Sequence, residues 1–414
     1  MCFPAAGFVC LPVGAAPFTL SQTFDDPTPG ASDGFGIAVS VSGNNVLIGV
    51  RNDGVNGNGN GIGQAHLYHA TTGALLQSFN DPTPNLNDQF GRSVSVSDNN
   101  VLIGAALDDT DGVQQGQAHL FQANTGALLQ TFSDPTPTSG DQFGRSVSAS
   151  GNNLLIGAPG HAGLVGQAHL FNATTGTLLQ TFNNPNPAAG DLFGFSVSVS
   201  GNNVLIGAQG DDTNGNNVGQ AHLFDATTGA LLQTFNDPTP TTEDQFGRSV
   251  AVEGNNVLIA AFRDDTNGID TGQAHLFDAT TGALLQTFND PIPAANDRFG
   301  NSVSISGNNV LIGTVADDTN GNVSGQAHLF DAITGAWLQT INDPTLTNQD
   351  QFGTSVSISG NNVVIGALGD DTNGVNVGQA FLFSAAVVSE PGTLVLLGVG
   401  FVGLMLRRRK RKTL

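Results

Sequence analysis

Cysteine is nearly missing: Cys2 and Cys10 are the only two in 414 residues, and both precede the first strand-like segment. The body of the chain therefore has no disulfide framework and no thiol nucleophile. Lysine is absent from that body as well, since Lys410 and Lys412 lie in the tail. Up to position 388, six arginines face 33 acidic residues, a balance of −27 within the whole-chain −22. Such a body is no partner for nucleic acid, because phosphate binding needs clustered Lys and Arg. Glutamate is scarce too, with only Glu243 and Glu253 before the tail. No segment outside the tail carries a helical period, and no nucleophile elbow, phosphate-binding loop or HExxH pattern occurs. No enzyme is expected, and a hydrolase or lyase is the least favoured function.

Phenylalanine and glycine are abundant and periodic. Phe-Gly recurs at Phe35, Phe90, Phe143, Phe193, Phe246, Phe299 and Phe352, at spacings of 50 to 55 residues. Gly-Gln-Ala keeps the same beat at Gly63, Gly116, Gly166, Gly219, Gly272, Gly325 and Gly378. Self-similarity at this period means a propeller or a solenoid.

The fifth copy shows the unit. Phe246 to Val252 alternates apolar and small residues, a strand signal, and Glu253-Gly254-Asn255-Asn256 supplies a turn. Val257-Leu258-Ile259 suits a strand buried on both faces. After the loop Asp264-Asp265-Thr266-Asn267-Gly268 come strands at Gln273 to Phe277 and Ala283 to Phe288. Four short strands with tight hairpins make one propeller blade. The seventh copy lacks its fourth strand, and Leu20 to Phe24 supplies one at the front. The expectation is an all-β, seven-bladed β-propeller over residues 18–383, closed by its N-terminal strand, which leaves no sheet edges open. Nineteen of 26 phenylalanines fall at three repeated places, as packing between neighbouring blades requires.

These residues resemble the FG-GAP repeats, the β-propeller repeats also found in integrin α subunits. Phe-Gly is present in all seven copies; Gly-Ala-Pro survives whole once, at Gly157-Ala158-Pro159, and in part at Gly104-Ala105, Gly207-Ala208 and Gly366-Ala367. The resemblance implies the fold rather than a particular function. Many members carry a calcium loop between strands one and two. Here that connector is only Ser-Gly-Asn-Asn, as at Ser200 to Asn203, so no family metal ligands carry over.

In such a blade, the Asp-rich two–three loops and the four–one loops share one face of the disc, which is expected to be strongly negative. Two readings of these loops stay open. Asp, Asn and Gly form turns and solubilise the surface, or the loops bind Ca²⁺ through oxygen ligands. Asp212, Asn214 and Asn216, with Asp318, Asn320 and Asn322, have the alternate spacing that wraps an ion. Six histidines recur at one place, His66, His119, His169, His222, His275 and His328, with Phe381 in the seventh copy. Replacement by Phe marks a packing position rather than a metal ligand. Residues that break the repeat are the better candidates for chemistry: His161, Glu243, Glu253, Arg51, Arg263, Tyr68 and Trp337.

The two ends read as addresses. Residues 1–17 are apolar and read as a signal-peptide remnant, with Gly14-Ala15-Ala16 as a cleavage site but no basic residue ahead of Phe8. After a linker at 384–388 come Ser389-Glu390-Pro391, the apolar run Leu394 to Leu406, and Arg407, Arg408, Arg409, Lys410, Arg411 and Lys412. This tail resembles a PEP-CTERM sorting signal, with Ser389 in place of the first Pro. The resemblance implies an exosortase-type processing protease, and export to a bacterial envelope, cell surface or extracellular matrix. Its 13 apolar residues form a short hydrophobic helix, a transient inner-membrane anchor held by a basic cytoplasmic end. That run is shorter than the roughly 17–25 residues of an ordinary span. The function expected is an adhesion-type surface protein that binds polysaccharide or a surface protein through acidic loops. The alternative is a calcium-binding structural protein of the matrix.

Overall fold

The computed structural model of the protein describes residues 17–53, 61–320, 323–345 and 349–385. Seven four-stranded antiparallel sheets follow one another along the chain. Blade five has strands Phe246–Glu253, Asn256–Ala261, Gln273–Asp278 and Leu284–Asn289, ordered sequentially from the inner strand outward. Blade seven takes three strands from Phe352 onward, and its outer strand is Phe18–Asp25 from the front of the chain. The expected closure is observed. It is reinforced by Ser355 Oγ donating to the Gly36 carbonyl at 2.7 Å and by the Phe35 N–H donating to the Val377 carbonyl at 2.8 Å.

Burial follows the alternation read from the sequence. In the inner strand of blade five, Val250 and Val252 are buried, while Ser249 and Ala251 are half-buried. The second strands are buried on both faces. All seven Phe-Gly phenylalanines are fully buried, and each core joins two blades: Phe235 of blade four packs with Phe246 and Phe277 of blade five. Phe246 and Phe277 meet edge to face at 6.2 Å. Burial of one such ring contributes roughly 1.5–3 kcal/mol.

Two local devices hold blade against blade. The first is a ring of serines. Ser40, Ser95, Ser148, Ser198, Ser304 and Ser357 on the inner strands each accept the N–H of a neighbouring inner strand at about 3 Å, satisfying an edge that would otherwise be unpaired. In blade five Ala251 stands at that place, and Ser249 serves Val303 instead. The second is the glycine pair. Gly247 follows Phe246 at φ +88°, and an added Cβ there would lie 2.4 Å from the Gln220 carbonyl oxygen. Gly207 of the Gly-Ala pair leaves room for the Gly247 carbonyl, only 2.0 Å from where its Cβ would sit. The two halves of the motif are thus the abutting backbones of adjacent blades.

A candidate binding face around the central channel

The two–three loops and four–one loops do lie together. The 2–3 loop of each blade accepts the N–H of the phenylalanine that opens the next, as in Phe246 to the Val218 carbonyl and Phe299 to that of Thr271, at 2.8 and 2.9 Å. The charge of this face differs from expectation, because 19 aspartates are buried inside the turns rather than displayed. They recur as three per blade: one before Pro, one before Phe-Gly, one after the second strand. In blade five these are Asp237, Asp244 and Asp264. Asp237 Oδ1 accepts the Thr239 N–H at 2.9 Å, Asp264 Oδ1 accepts that of Thr266 at 2.8 Å, and Thr239 Oγ1 donates to Asp264 Oδ2 at 3.1 Å. Asp244 accepts the Thr241 N–H. These carboxylates are turn-formers that lock one loop onto another. In blade four Asn184 takes the first place and donates to Asp191 at 2.7 Å. In blade three His161 fills the third place, 3.5 Å from Asp141.

Burial raises the pKa of Asp53, Asp88, Asp237 and Asp297 to about 7 against their hydrogen bonds. The repeated histidines are packing residues, as expected. Each is buried, donates or accepts through Nδ1 with a Ser or Thr of the outer strand, and leaves Nε2 without a hydrogen bond. Burial pushes their pKa down to about 4. The groups that could hold a metal are therefore internal. Asp26, Asp53 and His66, or Asp290, Asp317 and His328, have donor atoms within 4.8 Å of one another.

The loop residues singled out by spacing face separate partners. Asp212 Oδ1 accepts the Asn217 N–H at 2.7 Å, Asn214 donates to Asn236 at 2.7 Å, and Asn216 donates to Glu243 at 2.5 Å. Asn320 donates to Asn342 at 2.9 Å beside exposed Asp318. Asn322 lies outside the described residues, as do Ser389, Glu390, Pro391, Arg407, Arg408 and Arg409 with the whole apolar tail. The one–two connectors are tight turns between paired residues such as Ser200 and Asn203, and do not fit the calcium loop of other family members. Among the other repeat-breakers, Tyr68 donates to the Asp25 carbonyl at 2.9 Å, Glu253 accepts the Gly307 N–H at 2.5 Å, and Trp337 is half-exposed on an outer strand.

Arg51 and Arg263 are different, because they belong to a cluster. Arg51, Arg92, Arg145, Arg248 and Arg298 line a cavity of about 340 Å³ at the mouth of the central channel, on the loop face. Arg263 joins them through a stack. The Arg145 guanidinium lies 4.5 Å from the Phe195 centroid; Arg248 lies 4.9 Å from Phe195 and 4.7 Å from Phe262; Arg263 lies 5.5 Å from Phe262. All six arginines that precede the tail thus meet at one place. Among the described residues none pairs with a carboxylate within 4.0 Å, and buried Nε of Arg263 and Arg298 has no partner. Burial, then repulsion from the other arginines, lowers Arg145 to about 9 and Arg92 and Arg248 to about 10. Arg92, Arg145 and Arg248 occupy the place directly after Phe-Gly, which faces the cavity at the channel mouth. That variable position beside an invariant motif was the signal in the sequence that could have found them.

Fold and face together define a closed seven-bladed propeller whose loops surround a basic channel mouth. The FG-GAP repeat profile matches residues 84–121, 132–171, 180–224, 239–277, 293–330 and 346–383, more than half of the chain. The chain belongs to the FG-GAP repeat family. Its first blade, outside the matched segments, has the same four strands. The PEP-CTERM protein-sorting motif matches residues 387–410, which implies processing by exosortase-type machinery and export to the bacterial envelope or surface. No curated protein matches the chain. Among the described residues, no helix is long and apolar enough to cross a membrane.

Proposed function

We propose that the protein is an adhesion-type interaction module of the bacterial surface or extracellular matrix, a binder rather than an enzyme. It holds a polysaccharide or protein partner on its loop face. The observation that carries this reading is the construction of the 2–3 loops. Three of them, in blades two, five and seven, present an exposed carboxylate (Asp109, Asp265, Asp371) and an exposed apolar tip (Val113, Ile269, Val375, 65–68 % exposed). Carbonyls at those tips accept N–H groups of the next blade's loop, at 2.9 Å for Gly140 to Val113 and 2.8 Å for Asn296 to Ile269. Rigid, preorganised side chains of both kinds lower the entropy lost on binding. Glycan and surface-protein arrays probed with the parent chain and with Asp109→Asn/Asp265→Asn/Asp371→Asn test it. Saturable binding weakened by the variant supports the reading, and no binding by the parent removes it. Release from the membrane with cleavage near Glu390-Pro391, read by mass spectrometry, tests the tail.

A second reading, a calcium-binding matrix protein, is favoured by Asp237, Asp244 and Asp264, whose carboxylate oxygens are grouped within 4.8 Å. It requires Ca²⁺ to raise the melting temperature more than Mg²⁺ at equal ionic strength. Equal effects of the two ions remove it.

A further inference from the structure

A ring that carries −27 up to position 388 has placed all six of its arginines at one mouth, and none has an acidic partner among the described residues. Packing alone does not explain this. Like charges at such range repel, and these half-buried guanidiniums lose hydration that only neutral partners offset, Gln89 for Arg92 at 2.8 Å, Gln209 for Arg248 at 3.3 Å and the two phenylalanine rings. What relieves both is an anion in the cavity. We propose that the channel mouth is a binding site for a compact multivalent anion, one bearing two or more carboxylate, phosphate or sulfate groups.

The chemistry of the lining fits that class. Guanidinium forks bind planar and tetrahedral oxyanions bidentately, and the Phe195 and Phe262 rings pack against Arg145, Arg248 and Arg263 at 4.5–5.5 Å. The remaining lining supplies Asn301, Gln351 and Thr354 as polar neighbours and contains no acid. Size and surroundings select a compact ligand over a long chain. The mouth holds about 340 Å³, and the loops around it expose Asp109, Asp212, Asp265, Asp318 and Asp371. A polyanion lying across the face meets that outer acid within a Debye length of about 8–10 Å. A small anion inside the mouth does not. The proposal adds a ligand class to the surface-binding reading and rests on the same face, but its test is separate.

The probes are inorganic pyrophosphate and citrate, titrated calorimetrically into the full chain at constant ionic strength, with acetate and a long uronate polymer as comparisons. The expected result is saturable binding with a dissociation constant at or below roughly 1 mM, accompanied by a rise in melting temperature. Arg145→Gln/Arg248→Gln should weaken binding at least about tenfold, as expected for lost charge-assisted bonds. The same variant should melt no lower than the parent when unliganded, since it removes repulsion. Arg51→Gln, at the cavity edge, gives the same direction if the double variant fails to fold. Glu253→Gln on the opposite face should change nothing. No binding by either probe, equal binding by acetate, unchanged binding by the arginine variants, or tighter binding of the polymer would each overturn the proposal. Array binding that survives in a chain without pyrophosphate binding would discard this inference and keep the surface-binding reading.

Discussion

Asp237 shows what a single acid does here. Its carboxylate closes an Asx turn and sits beside His275, whose Nε2 lies 4.0 Å away. Both groups are neutral over part of the physiological range, for the same reason, and their effects on stability have opposite signs. The aspartates raised to about 7 stabilise the fold while protonated, so their contribution is present at low pH and fades as pH rises toward 7. The histidines lowered to about 4 contribute above their unfolded value of 6.5, and that contribution fades as pH falls through 4. Between about 4 and 6.5 the two oppose; above 6.5 only the aspartates act. The denaturation midpoint, measured with a chelator present, should therefore fall between pH 6.5 and 8. Asp237→Asn should flatten that fall, because the chain already uses Asn184 at the equivalent place. A midpoint that rises over this interval contradicts the assignment. Ser198→Ala tests the serine ring: it strands the Val252 N–H and should lower stability by about 1–3 kcal/mol in urea unfolding.

At the scale of the element, the fold depends on glycines that let inner strands abut. Gly247→Ala places a Cβ against the Gln220 carbonyl at positive φ and should destabilise by about 2 kcal/mol or more. Gly254→Ala, also at positive φ but with nothing within 4 Å, should lose only the backbone term of about 1–2 kcal/mol. Equal losses would mean that contact between blades is not the reason for the motif. Much of this was legible in the chain, because strands, hairpins and the displaced fourth strand are written in local patterns such as Phe246 to Val252. What was not legible depends on how blades stack. Leu284 and Leu285 are apolar strand residues, yet each is 45–46 % exposed because the outer strand lies at the circumference. Asp237 and Asp264 read as surface charge, yet they are buried by loops from another strand. Arg92, Arg145 and Arg248 stand 50 or more residues apart, and only closure of the ring brings them together.

For the whole molecule, closure by Phe18–Asp25 governs both stability and the face it presents. Ser21 and Ser384 hydroxyls lie 3.1 Å apart across the closing pair. With Cys2 and Cys10 changed to Ser, Ser21→Cys/Ser384→Cys should form a disulfide in air and raise the melting temperature. A chain whose thiols stay free would be open at that seam. Closure in turn encircles the channel, so that a strongly acidic protein displays an unpaired basic centre ringed by carboxylates. The arginine Nε–Hε resonances report on that centre directly. On titration with pyrophosphate at constant ionic strength, the signals of Arg92, Arg145 and Arg248 should move together and saturate, while those of Arg407, Arg408 and Arg409 drift weakly without saturation. Channel signals that stay fixed, or that move no differently from the tail, would contradict the account.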